Sequence, residues 1–168
     1  MSNASPLQQV IDRQEITELI YLYCRAVDRI DIPLGRSIFH EDAIADYGSI
    51  YNGDGRGAIE MVCEFHRPMI AHTHQISNII IELDGDRAGS EAYVTATLRA
   101  RASNGETQIT MWVRYVDQWS RRNERWGIDK RVVITDFDEV REVTTISNGQ
   151  RSFRDKTDPS YEAVKGVP

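Results

Sequence analysis

The chain has little of almost everything that would announce its chemistry outright. Two cysteines occur in 168 residues. Cys24 and Cys63 both fall inside helical patterns without framework spacing, which excludes a disulfide scaffold and suggests buried free thiols in a reducing cytoplasm. Apolar runs are short. None approaches the ~18 residues of a membrane span, and the opening MSNAS is small and polar, so neither a membrane partner nor a signal peptide is expected. Positive charge is also in deficit: 20 Lys+Arg stand against 26 Asp+Glu, for a net charge of −6. Nucleic acid and anionic membranes select basic surfaces, so neither is expected as a partner. Arg121, Arg122 and Arg125 do cluster, but among acidic groups, as a solvated turn would. The glycines of YNGDGRG match neither dinucleotide nor P-loop spacing, and no G-x-S-x-G elbow appears, so no cofactor and no serine nucleophile are expected.

What is present is patterned. Ser5-Pro6 reads as a helix start, and Val10, Ile11, Ile16, Leu19, Ile20, Tyr23, Cys24 and Val27 recur at helical spacing, predicting a long amphipathic helix to about Asp28. DRIDIPLGRSIFHEDA reads as a turn and a short helix capped by Asp31, AIADYG as a short strand, and GRGAIEMVCEFHRPMIA as a third helix ended by Pro68. The second half changes period. THQISNIIIEL, RAGSEAYVTATLRAR, ETQITMWVRYVDQWS and RWGIDKRVVITDF alternate or are rich in β-branched and aromatic residues, with turn signals DGD, SNGE and RRNE between them. Helices first and long strands after them predict an α+β fold, three helices on one face of a curved antiparallel sheet. One domain covers residues 1–168, with a core at about 8–140 and a polar tail at 142–168 that reads as an extended arm or short helix. An open sheet with aromatics on alternate strands predicts homo-oligomerisation.

Three of the four histidines fall in HRPMIAHTHQISNIIIELDGD, residues 66–86. His72 and His74 would share a strand face, which can suit a metal, but no carboxylate or cysteine lies near at ligand spacing, so no metal is expected. Acid–base chemistry remains. A histidine titrates near neutrality, and a buried carboxylate beside it fixes its tautomer and raises its basicity. Asp28 follows the apolar face of the first helix one turn after Cys24 and could point inward. Tyr23, five residues earlier, would lie about 140° away around an ideal helix. Each also has a plainer reading: helix-end polar residue, core aromatic, hydrogen-bonded strand residue.

The ordered set RQEITELIYLYCRAVDRID, SIFHEDAIADY, AIEMV, HTHQISNIIIELDGDRA, RYVDQW and RWGIDKRVV resembles the SnoaL-like branch of the nuclear transport factor 2-like superfamily, from about Arg13 to Val133. Within it the chain is similar to scytalone dehydratase, hexachlorocyclohexane dehydrochlorinase and bile acid 7α-dehydratase. The resemblance implies a cone-shaped α+β barrel, three N-terminal helices on a strongly curved antiparallel or mixed sheet enclosing an apolar pocket, and cofactor-free elimination by a His–Asp dyad. Residue by residue, it places the dyad on His74 and Asp28, a pocket tyrosine on Tyr23, and a late-strand arginine on Arg131, with Arg114 as competitor. Trp112, Tyr47, Phe65 and Met69 are candidate pocket walls. The implied function is a lyase, dehydratase or dehydrohalogenase in type, on a small apolar cyclic or polycyclic substrate. An isomerase or cyclase, or a non-catalytic binding subunit, could use the same fold. A homotrimer is the favoured assembly, a dimer the alternative. His66 reads as a helix residue, and His72 receives no role.

Overall fold

The computed structural model describes residues 5–146 and 153–165. Helix α1 spans Pro6–Arg29, opened by Ser5, whose hydroxyl accepts from the Gln8 N–H at 3.1 Å. Its buried residues Asp12, Ile16, Ile20, Tyr23 and Val27 fall three or four apart, one stripe turned to the core. The helix stops at Ile30, whose φ of 53° is left-handed. The Ile30 N–H returns to Val27 O at 3.1 Å and the Asp31 N–H to Ala26 O at 2.8 Å. This is the Schellman closure, with isoleucine where glycine is usual. A β-branched residue held there costs about 1–2 kcal/mol.

Helix α2 (Ile32–Ser37) is capped by Asp31, as its sequence indicates, and α3 spans Gly55–His66. The strands are β1 (Phe39–Asp46), β2 (Asn52–Asp54), β3 (Ala71–Asp84), β4 (Arg87–Ala102), β5 (Gly105–Arg122) and β6 (Arg125–Val143). They form one open sheet in the order β2-β1-β6-β5-β4-β3. All neighbours are antiparallel except β1 and β6, so the sheet is mixed, as a cone of this kind requires. The turn RRNE places Asn123 and Glu124 at φ 51° and 62°, the two-residue geometry that suits the right-handed twist of a hairpin. Register shifts occur in β3 between Ser77 and Ile80, and in the β5–β6 pair next to Trp112 and Gln118. Each inserts an extra residue and bends the sheet.

Alternation along β4 and β5 sorts the two faces. Ala88, Ala92 and Val94 of β4, with Val113, Tyr115 and Trp119 of β5, join Ile16, Ile20, Tyr23 and Val27 of α1 in the core. The described part of the tail packs on this chain's own helix ends. Arg154 donates to His66 O at 2.9 Å, Lys156 and Tyr161 bond Asp31, and Asp158 pairs with Arg29 at 3.3 Å. A short helix α4 (Ser160–Ala163) follows, as the tail reading allowed. Residues 147–152 and 166–168 of that reading lie outside the described residues, as do residues 1–4. Among the described residues no helix is long and apolar enough to cross a membrane.

At the far end of α1, buried Asp12 accepts from Gln8 Nε2 (3.0 Å), Arg121 Nη1 (2.6 Å) and Trp126 Nε1 (3.2 Å). The Trp126 donor is fully enclosed, so Asp12→Ala leaves it unsatisfied. Urea unfolding of that variant is expected to show a loss of about 2–3 kcal/mol. A loss below 0.5 kcal/mol would mean that the network does not hold α1 to the hairpin.

Candidate active site

The C-terminal turn of α1 and the start of β3 meet at Asp28 and His74. The Asp28 carboxylate accepts twice from one residue: Oδ1 from His74 Nδ1 at 2.8 Å, and Oδ2 from the His74 backbone N–H at 3.1 Å. The side chains are 5% and 13% exposed, so the pair is shielded without being sealed. An ionised carboxylate can only accept, so the Nδ1 proton faces Asp28 and the ring's lone pair is left on Nε2. An open cleft of about 290 Å³ between α1 and β3 reaches both residues, with Cys24, Arg25 and Arg29 beside them.

Two more imidazoles back this pair. The His66 and His72 rings lie 4.6 Å apart, and His66 is 5.4 Å from His74. His66 Nδ1–H donates to Val62 O at 2.6 Å within α3, and His72 Nε2–H donates to Val27 O at 3.0 Å. The remaining nitrogen of each ring, His66 Nε2 and His72 Nδ1, is buried without a partner among the described residues. Burial pushes the His66 pKa down to about 4, aided by the neighbouring His74, and lowers that of His72 for the same first reason. Both rings are therefore neutral at physiological pH. Among the described residues no three His, Cys, Asp or Glu side chains are arranged to hold a metal.

A second polar cluster lies deeper. Arg131 is fully buried and meets Asp117 through two parallel hydrogen bonds of 2.7 Å. Its guanidinium lies 4.0 Å from the Tyr23 ring centre and 4.2 Å from that of Tyr115. Burial alone would favour a neutral Arg131, but the Asp117 charge and hydrogen bonds prevail and hold it firmly cationic. The Tyr23 and Tyr47 hydroxyls are 2.6 Å apart. Desolvation raises both pKa values, so both stay protonated; one O–H is spent on the other hydroxyl oxygen and one is left to donate. Cys24 lies within electrostatic reach of Asp28 and Arg131, but burial lifts its thiol to about 12 and Cys63 to about 11, which removes both as nucleophiles.

The expected residues thus divide. His74 and Asp28 are joined directly, and Tyr23, Tyr47 and Arg131 form a separate, deeper cluster outside the residues that line the cleft at His74. Arg114 and Trp112 belong elsewhere. They pair across strands with Tyr93 and Thr95, on the sheet face turned away from the helices. There Arg114 bonds Glu91 and Asp136, and Trp112 stacks on Phe137 at 4.6 Å. The reading of Arg114 and Trp112 as pocket residues is corrected by strand parity. Phe65 is half exposed against the edge of the His66 ring, and Met69 is half-buried after α3. Asp117 and Tyr115 are participants that residue type alone did not single out, and His66 and His72, noted as histidines, carry no sequence signal that places them beside the pair.

The neutral His66 makes stability pH-dependent. Its folded pKa of about 4 lies below the unfolded value of ~6.5, so the unfolded chain takes the proton first. The contribution is intact above about pH 6.5 and is lost as pH falls toward 4. Between those limits the wild type should lose about 2 kcal/mol more unfolding free energy than His66→Gln in denaturant titrations. Parallel pH curves for the two proteins would contradict it.

Comparison with known proteins places the fold. Uncharacterised proteins of Mycobacterium tuberculosis and Mycobacterium bovis are 24% identical over 134 residues, covering 79% of this chain and 90% of theirs. A hexachlorocyclohexane dehydrochlorinase of type 2 superposes with a TM-score of 0.76 at 19% identity, covering 87% of this chain and all of the other. The type 3 enzyme from Novosphingobium barchaimii gives 0.73 at 18%, covering 86% and 100%. A candidate scytalone dehydratase from Novosphingobium aromaticivorans gives 0.69 at 18%, covering 84% and 97%. At these identities the structural likeness establishes the fold. The SnoaL-like domain model matches residues 8–132, and the chain belongs to that family.

Proposed function

We propose that the chain is a cofactor-independent lyase, of dehydratase or dehydrohalogenase type, acting on a small apolar cyclic or polycyclic substrate. The observation that carries this reading is the double grip of Asp28 on His74, at 2.8 and 3.1 Å. It supplies the tautomer and orientation a general base needs, with a carboxylate placed to stabilise the imidazolium that forms. Resemblance in fold to a dehydratase and dehydrochlorinases supports the reaction class.

In the proposed reaction His74 Nε2 takes a proton from a carbon next to the one bearing the leaving group. The C–H electron pair becomes the new double bond; a halide departs with its bonding pair, or a hydroxide departs with its pair and takes the proton back from the His74 imidazolium to leave as water. The hydrogen-bonded Tyr23–Tyr47 pair would offer its one free O–H to an oxygen that gains charge, either the leaving group or an enolate. Arg131, sealed behind the Tyr23 ring and bound to Asp117, would act through these hydroxyls by its field. Met69 and Phe65 would contribute apolar wall.

The test uses a panel of cyclic alcohols and halides with mass detection of product. The wild type should give a product lighter by water or hydrogen halide. His74→Ala and Asp28→Asn should each lower kcat by about 10²–10⁴-fold, the usual scale of a lost general base, while remaining folded. An isomerase or cyclase would give products of unchanged mass. Near wild-type turnover in either variant would end the dyad mechanism.

A further inference from the structure

His72 has no part in the mechanism above, yet it is 7% exposed and spends its one N–H on a particular carbonyl. That carbonyl belongs to Val27, the residue immediately before Asp28. Val27 O also accepts the Ile30 N–H at 3.1 Å, one of the two bonds that close the end of α1. The closure is under strain, because Ile30 sits at φ 53°. Asp28 therefore projects from a helix terminus whose own backbone geometry is unfavourable, and the terminus needs a hold from outside.

Strand β3 supplies that hold at two adjacent inward positions. Residues two apart on a strand share a face, so His72 and His74 reach the same turn of α1 together. His72 binds the Val27 peptide, and His74 binds the Asp28 side chain through its ring and its backbone. The His66 ring packs on both, 4.6 Å from His72 and 5.4 Å from His74, which limits rotation of either. We infer that His72 is a positioning residue for the His74–Asp28 pair: its Nε2–H···O=C bond to Val27 fixes the end of α1 in the register at which Asp28 can hold His74 Nδ1–H. This rests on the proposed dyad and extends it to the residue that sets its geometry. An apolar side chain at 72 would fill the space but release the Val27 peptide. Glutamine places an amide N–H near the position of the imidazole Nε2 and would keep the bond.

The experiment is long-range ¹H–¹⁵N correlation of the histidine rings in the full-length chain without ligand, so no substrate needs to be known. In the wild type His72 should appear as the Nε2–H tautomer and His74 as the Nδ1–H tautomer. In His72→Leu the His74 Nδ1–H should exchange with water about five- to tenfold faster, the change expected for one lost neutral hydrogen bond, or give way to mixed tautomers. His72→Gln should stay within about twofold of the wild type, a rescue that mere filling of volume would not give. A wild-type His72 protonated on Nδ1 cannot donate to Val27 and overturns the inference without any variant. An unchanged His74 signal in a folded His72→Leu does the same, as does loss of that signal in His72→Gln. Should His72→Leu not fold, the wild-type tautomer and the glutamine variant decide. A wild-type His74 with no Nδ1–H would remove the dyad itself, whereas a His74 Nδ1–H indifferent to His72 removes only this inference.

Discussion

The contact on which the rest depends is the carboxylate of Asp28 accepting from both the ring and the backbone of His74. One hydrogen bond would leave the carboxylate free to swing about its own Cβ. Two bonds to one residue set its plane, and with it the plane of the imidazole. The same contact ties the last turn of α1 to the first residues of β3, elements far apart in sequence. Helix packing and site geometry are thus one constraint rather than two.

Around this contact the interior is organised by low dielectric. His66 and His72 are kept neutral by burial, so neither of these rings adds a positive charge to the proposed base they pack against. Arg131 is the opposite case. It is as buried as any residue in the chain, but two bonds to Asp117 and the faces of Tyr23 and Tyr115 keep its charge. Such a buried pair is weak evidence for net stability, since its desolvation offsets most of its attraction. What it provides is a fixed field beside the Tyr23–Tyr47 hydroxyls. The unpartnered nitrogens of His66 and His72 and the left-handed Ile30 are further costs concentrated in the same region. Local cost gathered near one cleft is the pattern of a site rather than of a core.

Much of the fold was legible in the sequence because it depends on local signals. Ser5-Pro6, Asp31 and the RRNE turn each act within a few residues, and the period change from 3.6 to 2 marks where helices give way to sheet. The short β2 and the parallel β1–β6 contact escaped, the first because three residues carry no period, the second because pairing is a long-range property. The candidate site was legible only in part. Asp28 and His74 could be named, but their contact rests on how α1 crosses β3. The Asp117–Arg131 pair shows the limit most clearly. Counting outward from the Asn123–Glu124 turn pairs Asp117 with Lys130. The shift beside Gln118 moves its partner to Arg131, a change that no residue pattern announces. Parity along β5 likewise decides between Arg131 and Arg114, and it is read from register, not from composition.

The central claim is that Asp28 holds His74 with its proton on Nδ1 and its lone pair on Nε2. Neutron diffraction from crystals grown in deuterated solvent observes that proton directly. The account predicts a deuteron on His74 Nδ1, lying between the ring and Asp28 Oδ1, with Nε2 bare. A neutral His74 carrying its deuteron on Nε2, with Nδ1 turned away from Asp28, would contradict it.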